Sequence, residues 1–228
     1  MRLADELLLL AYSEKGTSQL SQHSLDLGLA GAVLLELALA ERFDVRDGKI
    51  VVVDPGPVGD PVLDDALIRV ASDKKARSPR DWVRKLGDHL RERLLDNLVG
   101  IGVLAREKDR VLGIFPRTRY PAAHGVVAPA EADARQRLLA ALDGADPVPV
   151  RTAALAALVQ AVGLAGKVFP GRSGRDVKRR IAAMTEAALA NGRWASDSVR
   201  KAIEEVEAGV MVAVTAATTA STAAAANS

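Results

Sequence analysis

Chemistry needs titratable or nucleophilic side chains at workable spacing, and this chain offers few. Its three histidines, His23, His89 and His124, fall in separate segments and match no metal-ligand pattern; no HExxH helix is present. Cysteine is absent, which removes a thiol nucleophile, a Cys-ligated metal and a disulfide framework. The acid pair Asp64-Asp65 could be cast as a general acid and base, but adjacent helical residues do not face one another. Acids near a helix start serve the helix dipole instead. Gly28-Leu29-Ala30-Gly31 lies inside an apolar helix and Gly100-Ile101-Gly102 follows one, so neither is the strand-to-helix turn that holds a dinucleotide. A Walker lysine motif and a G-x-S-x-G elbow are missing too. No catalytic residue, metal ligand or cofactor is expected, and the chain reads as a non-enzyme.

Positive charge in clusters remains. The formal net charge is only +2, but local fields follow clusters more than totals. Arg77, Arg80, Arg84 and Lys85 lead into Arg91 and Arg93. Arg117, Arg119 and Tyr120 punctuate the stretch after Phe115. "GRSGRDVKRR" adds Arg172, Arg175, Lys178, Arg179 and Arg180 at a helix start, a geometry suited to anions. Several such clusters without a catalytic site point to a polyanion, either lipid head groups or nucleic acid.

The elements that must carry these residues are mainly helical. Of 228 residues 49% are hydrophobic and only 3% aromatic, so Leu, Val and Ala fill the interior, and Ala and Leu favour helix. "LADELLLLAYS", residues 3 to 13, reads as a short apolar helix. "LGLAGAVLLELALAERF", residues 27 to 43, has Glu36 as its only charge before Glu41. It is shorter than the roughly 20 residues a membrane span needs, so it reads as a core helix, with Ser24 or Asp26 as its cap. Asp47-Gly48 marks a hairpin turn. Pro61 and Pro79 open helices, the second running as "RDWVRKLGDHLRERLLDNLVGIG", with Gly87 as a point of breakage. Two β-like runs flank Glu107 to Arg110. The rest is helical up to a low-complexity Ala/Thr/Ser end. The expected architecture is mainly α: a single globular multi-helix domain with small β-hairpins over residues 1–214, followed by a disordered tail at 215–228. No secretory signal is evident at the N-terminus. The chain is expected to be cytoplasmic and peripherally membrane-associated.

The assembled motifs resemble the Golgi phosphoprotein 3-like family, in its prokaryotic form. The carrying stretches are "LADELLLL", "GLAGAVLLELALAER", "DPVLDDALIRV", "LRERLLDNLVGIGVL" and the hairpin "VLGIF"; their order and spacing match up to about Leu142. The resemblance implies a helical domain that binds phosphatidylinositol 4-phosphate peripherally, with a basic pocket beside a hairpin that dips into the bilayer. Eukaryotic members also bind glycosyltransferase tails. Carried over by position, the pocket tryptophan falls on Ser21 and the "GL-R-G" arginine on Ala30. Of two basic residues before "ERL", the first falls on Asp88 and the second on Arg91. Three of four contacts are thus replaced, and with them the charge-assisted hydrogen bonds that select a phosphoinositide.

The expected function is therefore peripheral binding of anionic phospholipid, a phosphatidylinositol phosphate by resemblance, with altered or lost phosphoinositide specificity. Arg91, Arg84 and His23 are the candidate head-group residues, on the expectation that Arg84, Asp88 and Arg91 share one helical face. In "IFPRTRYPAAHGVVAP", Phe115 and Tyr120 are expected to enter the interface while Arg117 and Arg119 meet phosphates. The rival readings are a winged-helix-like nucleic-acid-binding regulator, since two helices precede a hairpin here, and an adaptor for cytosolic tails of membrane proteins without lipid specificity. Homo-oligomerisation is left open.

Overall fold

A helix that is apolar on all sides has to be surrounded, and α2 (Gln22–Leu39) is. In the computed structural model, which describes residues 1–111, 114–190, 204–216 and 219, α1 (Leu3–Ala11), α3 (Pro61–Ser72), α4 (Pro79–Leu86), α5 (Leu90–Gly100) and α7 (Val150–Ala161) pack against it. Leu25, Leu29, Leu34 and Leu35 are completely buried, each contributing about 2 kcal/mol by removal from water. The chain is thus mainly α, with one core cluster reaching from Leu3 to Ala213. α6 (Pro129–Leu142), the short α8 (Ala165–Val168), α9 (Gly174–Ala190) and α10 (residues 204–216) complete the body.

Two glycines of α2 let neighbours approach. A Cβ on Gly28 would lie 2.4 Å from Val162 Cγ1 just beyond α7, and one on Gly31 would lie 2.3 Å from Val210 Cγ2 of α10. The Gly-Leu-Ala-Gly run is therefore a pair of packing notches. Glu36, the one acid in the second half of α2, accepts from the Leu3 N–H at 2.6 Å and from Arg151 of α7. It satisfies a free donor at the start of α1. Arg151 also lies 3.6 Å from Glu6, and Arg137 of α6 lies 3.1 Å from the same carboxylate. All nine residues of α1, acids included, are buried.

Local signals set several boundaries as expected. Asp47 and Gly48 both take positive φ, as the two-residue turn between β1 (Phe43–Arg46) and β2 (Lys49–Val52) demands. Asp60 accepts from the Val62 and Leu63 N–H groups at 2.9 and 3.2 Å, with Pro61 in the first turn of α3. Ser78 and Asp81 form a reciprocal capping box on α4.

Three expectations need correction. The cap of α2 is Ser21, whose hydroxyl accepts from the Ser24 N–H at 3.1 Å, so the helix starts before Ser24 and Asp26. The helix over Arg80 to Gly100 does break at Gly87, as expected, with His89 at a left-handed φ of 56°; the shared face is what fails, because Arg84 and Arg91 lie on different helices. A Cβ on Gly87 would lie 3.3 Å from the Asp26 carbonyl, so the glycine permits close approach to α2. Finally, Glu107 to Arg110 is not a turn but most of β3 (Glu107–Val111), paired antiparallel with β4 (Phe115–Arg119). The expected end of the domain at 214 falls within α10, and of the expected tail only 215, 216 and 219 are among the described residues.

Candidate functional site

Arg91, in the first turn of α5, is held within the protein. Its Nε lies 3.1 Å from Asp26 Oδ1 and a terminal nitrogen 3.5 Å from Glu92 Oε1, and the side chain is 13% exposed. Burial pushes the Asp26 carboxyl above its ordinary range; Arg91 and His23 pull it down, while Glu92 and Asp88 push it further up. Burial also raises the Tyr12 hydroxyl, against the pull of Arg91. One guanidinium thus joins the end of α1, the start of α2 and α5, and three carboxyls act around it. A phosphate arriving here would replace Asp26 and meet Asp88 and Glu92, two charges of its own sign.

The other residues expected around this pocket are dispersed. His23 is exposed in the first turn of α2, near Asp26. Arg84 is exposed on α4 and makes no ion pair among the described residues. Ala30, at the position of the family's arginine, is completely buried mid-helix and faces no solvent. Most of the remaining cations have internal partners. Arg77 and Lys85 converge on Asp73 at 2.8 and 2.5 Å and hold its carboxyl well below the usual carboxylate range. Arg93 pairs with Asp65, Arg172 with Asp143 and Arg179 with Asp176, while Arg180 donates to the Leu142 carbonyl. The acid pair is structural: Asp64 accepts from the Val58 N–H at 2.7 Å while Asp65 pairs with Arg93.

The β3–β4 hairpin is an arm whose strands, among the described residues, pair only with each other. Its base is fixed by the Leu104–Ala122 bridge, by the Tyr120 N–H donating to the Gly16 carbonyl at 2.8 Å, and by Tyr120 lying edge-on to Tyr12. Gly16 has a φ of 71°, and a Cβ there would sit 2.3 Å from Pro121 N. Cross-strand partners share a face, and on one face the register sets Glu107 against Arg119 and Asp109 against Arg117. Arg117 grips Asp109 through two nitrogens, at 2.9 and 2.5 Å, and Arg119 lies 3.1 Å from both Glu107 and Asp109. The pairing pulls the Asp109 carboxyl down and the Arg117 guanidinium up.

Alternation puts Lys108 and Arg110 on the opposite face, beside Thr118 and Pro116. Both are exposed, and neither has an ion-pair partner among the described residues. Towards the turn, Ile114 and Phe115 are 72% and 61% exposed. Val126 and Val127, in the loop after the hairpin, are exposed too. Reading Glu107 to Arg110 as a turn hid Lys108 and Arg110; the period-2 pairing of acids on one face is the signal that identifies them.

Two grooves that share Tyr12, Ser13, Glu14, Val127 and Glu131 flank the base of the arm, with volumes of about 980 and 350 Å³. Lys15, Arg135 and Lys167 line the larger one beside Glu14 and Glu131, three bases against two acids. No group of three His, Asp or Glu side chains suited to a metal ion occurs among the described residues. Nor is any described helix long and apolar enough to cross a membrane.

These features define a class: a helical body wrapped around one buried central helix, from which a charged, two-stranded arm projects. A family model described as Golgi phosphoprotein 3 (GPP34) matches residues 3–206. The chain belongs to that family.

Proposed function

We propose that this protein binds anionic phospholipid surfaces peripherally through the β3–β4 arm, and that it does not select phosphoinositides. The observation that carries this reading is the pairing of two unneutralised cations, Lys108 and Arg110, with the exposed apolar Ile114 and Phe115 on one projecting hairpin. A cation near an anionic surface contributes about 1 kcal/mol, and the apolar tip adds burial in the interface. Arg117 and Arg119 act inside the arm, keeping its strands in register. Arg84 and His23 are exposed and add to the attraction, whereas Arg91 holds Asp26. The reading is one of binding rather than catalysis. A nucleic-acid partner is disfavoured by Glu92 and Asp96, exposed on the helix that would have to enter a groove.

The test is vesicle co-sedimentation. Phosphatidylserine-containing vesicles should pellet the protein, phosphatidylcholine vesicles should not, and salt should release it. Replacing phosphatidylserine by phosphatidylinositol 4-phosphate at matched charge should change binding by less than about threefold. The double variant Lys108→Ala/Arg110→Ala should weaken binding about 10- to 30-fold, the equivalent of about 2 kcal/mol. Asp176→Ala/Arg179→Ala removes an exposed ion pair of α9 without changing net charge and should leave binding within about threefold. Equal losses in the two double variants, or equal pelleting by neutral vesicles, would refute the reading. A tenfold preference for the phosphoinositide would refute its second half.

A further inference from the structure

The corner of the molecule where α3 leads into α4 is strongly basic. Residues 69–85 hold seven Lys and Arg against two Asp, an excess above that of the whole chain, so the remainder is net negative. Asp73 is occupied by Arg77 and Lys85, and Asp81 by the Ser78 hydroxyl of the capping box. Lys74, Lys75 and Arg80 are exposed and have no ion-pair partner among the described residues. The Ile50 N–H donates to the Arg77 carbonyl at 2.8 Å, which brings the exposed Lys49 of β2 to the same corner. Ser78 chiefly holds the Asp81 carboxyl below its ordinary range, and both Lys49 and Arg77 add to that pull.

From 69 to 85 no large apolar side chain is exposed, and α4 turns Trp82, Val83 and Leu86 inwards. A protein partner would want an aromatic or aliphatic anchor here, and single-stranded nucleic acid an exposed aromatic platform. A lysine-rich cluster on the outer face of an amphipathic helix suits the diffuse charge of an anionic bilayer. Such a surface asks only that the cations share one exposed corner; they need not converge on one group. The arm stands at the other end of the central helix. Its base meets Tyr12, within reach of Arg91 and of Asp26 near the start of α2. In contrast α4 begins beside β2, beyond the end of α2, and finishes at Gly87 against the Asp26 carbonyl. From Asp26 to the end of α2 is about 20 Å.

We propose that this basic corner is a second contact for anionic bilayers, so that one molecule with its arm in one membrane holds another at the opposite end of α2. The inference rests on the lipid reading of the arm. Lys49, Lys74, Lys75 and Arg80 are offset in part by the exposed Asp47 and Asp81, and no apolar tip assists them. The corner is therefore the weaker contact. It acts once the arm has concentrated the protein on a surface and a second surface comes near.

Dynamic light scattering and co-sedimentation on the same samples test this, with unilamellar phosphatidylserine/phosphatidylcholine vesicles as the probe. Wild type should raise the mean particle diameter at least about threefold, and salt should reverse the rise. Lys74→Ala/Lys75→Ala/Arg80→Ala should still pellet within about threefold of wild type, through the arm, yet leave the vesicles dispersed. Arg172→Ala/Arg175→Ala/Lys178→Ala removes the same charge around the start of α9 and should cluster vesicles as wild type does. Without vesicles, wild type and both variants should sediment alike, which excludes clustering by protein self-association. A random-sequence DNA duplex should show no mobility shift at the protein concentrations that cluster vesicles. Failure of wild type to pellet would sink the lipid reading and this inference with it. Four results would overturn the bridge alone: pelleting without clustering, clustering by the Lys74/Lys75/Arg80 variant, equal loss of clustering in the α9 variant, or a duplex shift that the Lys74/Lys75/Arg80 variant abolishes. A loss of pelleting of about tenfold in that variant would place both contacts on one bilayer and overturn it too.

Discussion

Glu207→Gln should stabilise the protein, and by an amount that grows with pH. An unfolded glutamate titrates near 4.5, and in the folded chain burial and Glu204 lift Glu207 to about 8. Between those values the folded state holds a proton that the unfolded state has released. Stability from this group is complete below pH 4.5, declines as pH rises through the interval, and is lost above pH 8. The decline is about 1.4 kcal/mol per pH unit, reaching about 3 kcal/mol at pH 7. Glutamine has no such linkage, but burying its amide carries a cost of its own that trims the gain. The expected gain over wild type is therefore about 2–3 kcal/mol at pH 7, under about 1 kcal/mol at pH 5, and largest near pH 8.5. Urea unfolding followed by circular dichroism at those three values measures it, and subtracting the two proteins cancels every other ionisation. A gain equal at pH 5 and 8.5, or a variant less stable than wild type at pH 8.5, would show that Glu207 is ionised in the fold.

Gly28→Ala places a methyl group 2.4 Å from Val162 Cγ1; overpacking should outweigh the better helix propensity of alanine and cost about 1–2 kcal/mol in urea unfolding. A neutral result there would mean that α7 can slide outward. Arg151→Ala strips Glu36 of its guanidinium and removes one of two from Glu6, two side chains only 16% and 7% exposed. Differential scanning calorimetry should show the melting temperature fall by about 5–10 °C, equivalent to about 2–4 kcal/mol, and a shift within about 1 °C would exclude a structural role for the network.

Much of the scaffold was legible because its signals are local. Asp-Gly between alternating residues, proline after a capping Asp60 or Ser78, and an unbroken apolar run each specify one element through short-range geometry. The second hairpin misled for a local reason as well. "EKDR" looks like a turn because it is polar, yet as an arm with both faces in water its strand needs no apolar alternation. Only pairing with "FPRTR" reveals the order, since Asp109 meets Arg117 and Glu107 meets Arg119. The break at Gly87 was visible as a glycine, but its cause, the carbonyl of Asp26 on another helix, was not. The environment of Arg91 depends on side chains from three elements and could not be read from spacing along one of them. The cavity bordered by α7, α9 and α10 is the extreme case: Gln160, Thr185 and Glu207, which help to line it, lie more than twenty positions apart, and none stands out in the sequence.

The burial of α1 also bears on how the chain is made. Every side chain of residues 3–11 needs a neighbour, and those neighbours include α6 and α7, which close the far side with Arg137 and Arg151. On the ribosome α2 follows α1 closely and covers one side of it, yet α6 and α7, which close the other side, follow more than a hundred codons later. At about 5–20 residues per second, a leucine-rich segment waits roughly ten seconds for its cover. The nascent protein therefore passes through a stage in which "LADELLLLA" is half-covered and adhesive, and its yield in cells should depend on chaperone supply and translation speed more than the stability of the finished fold would suggest.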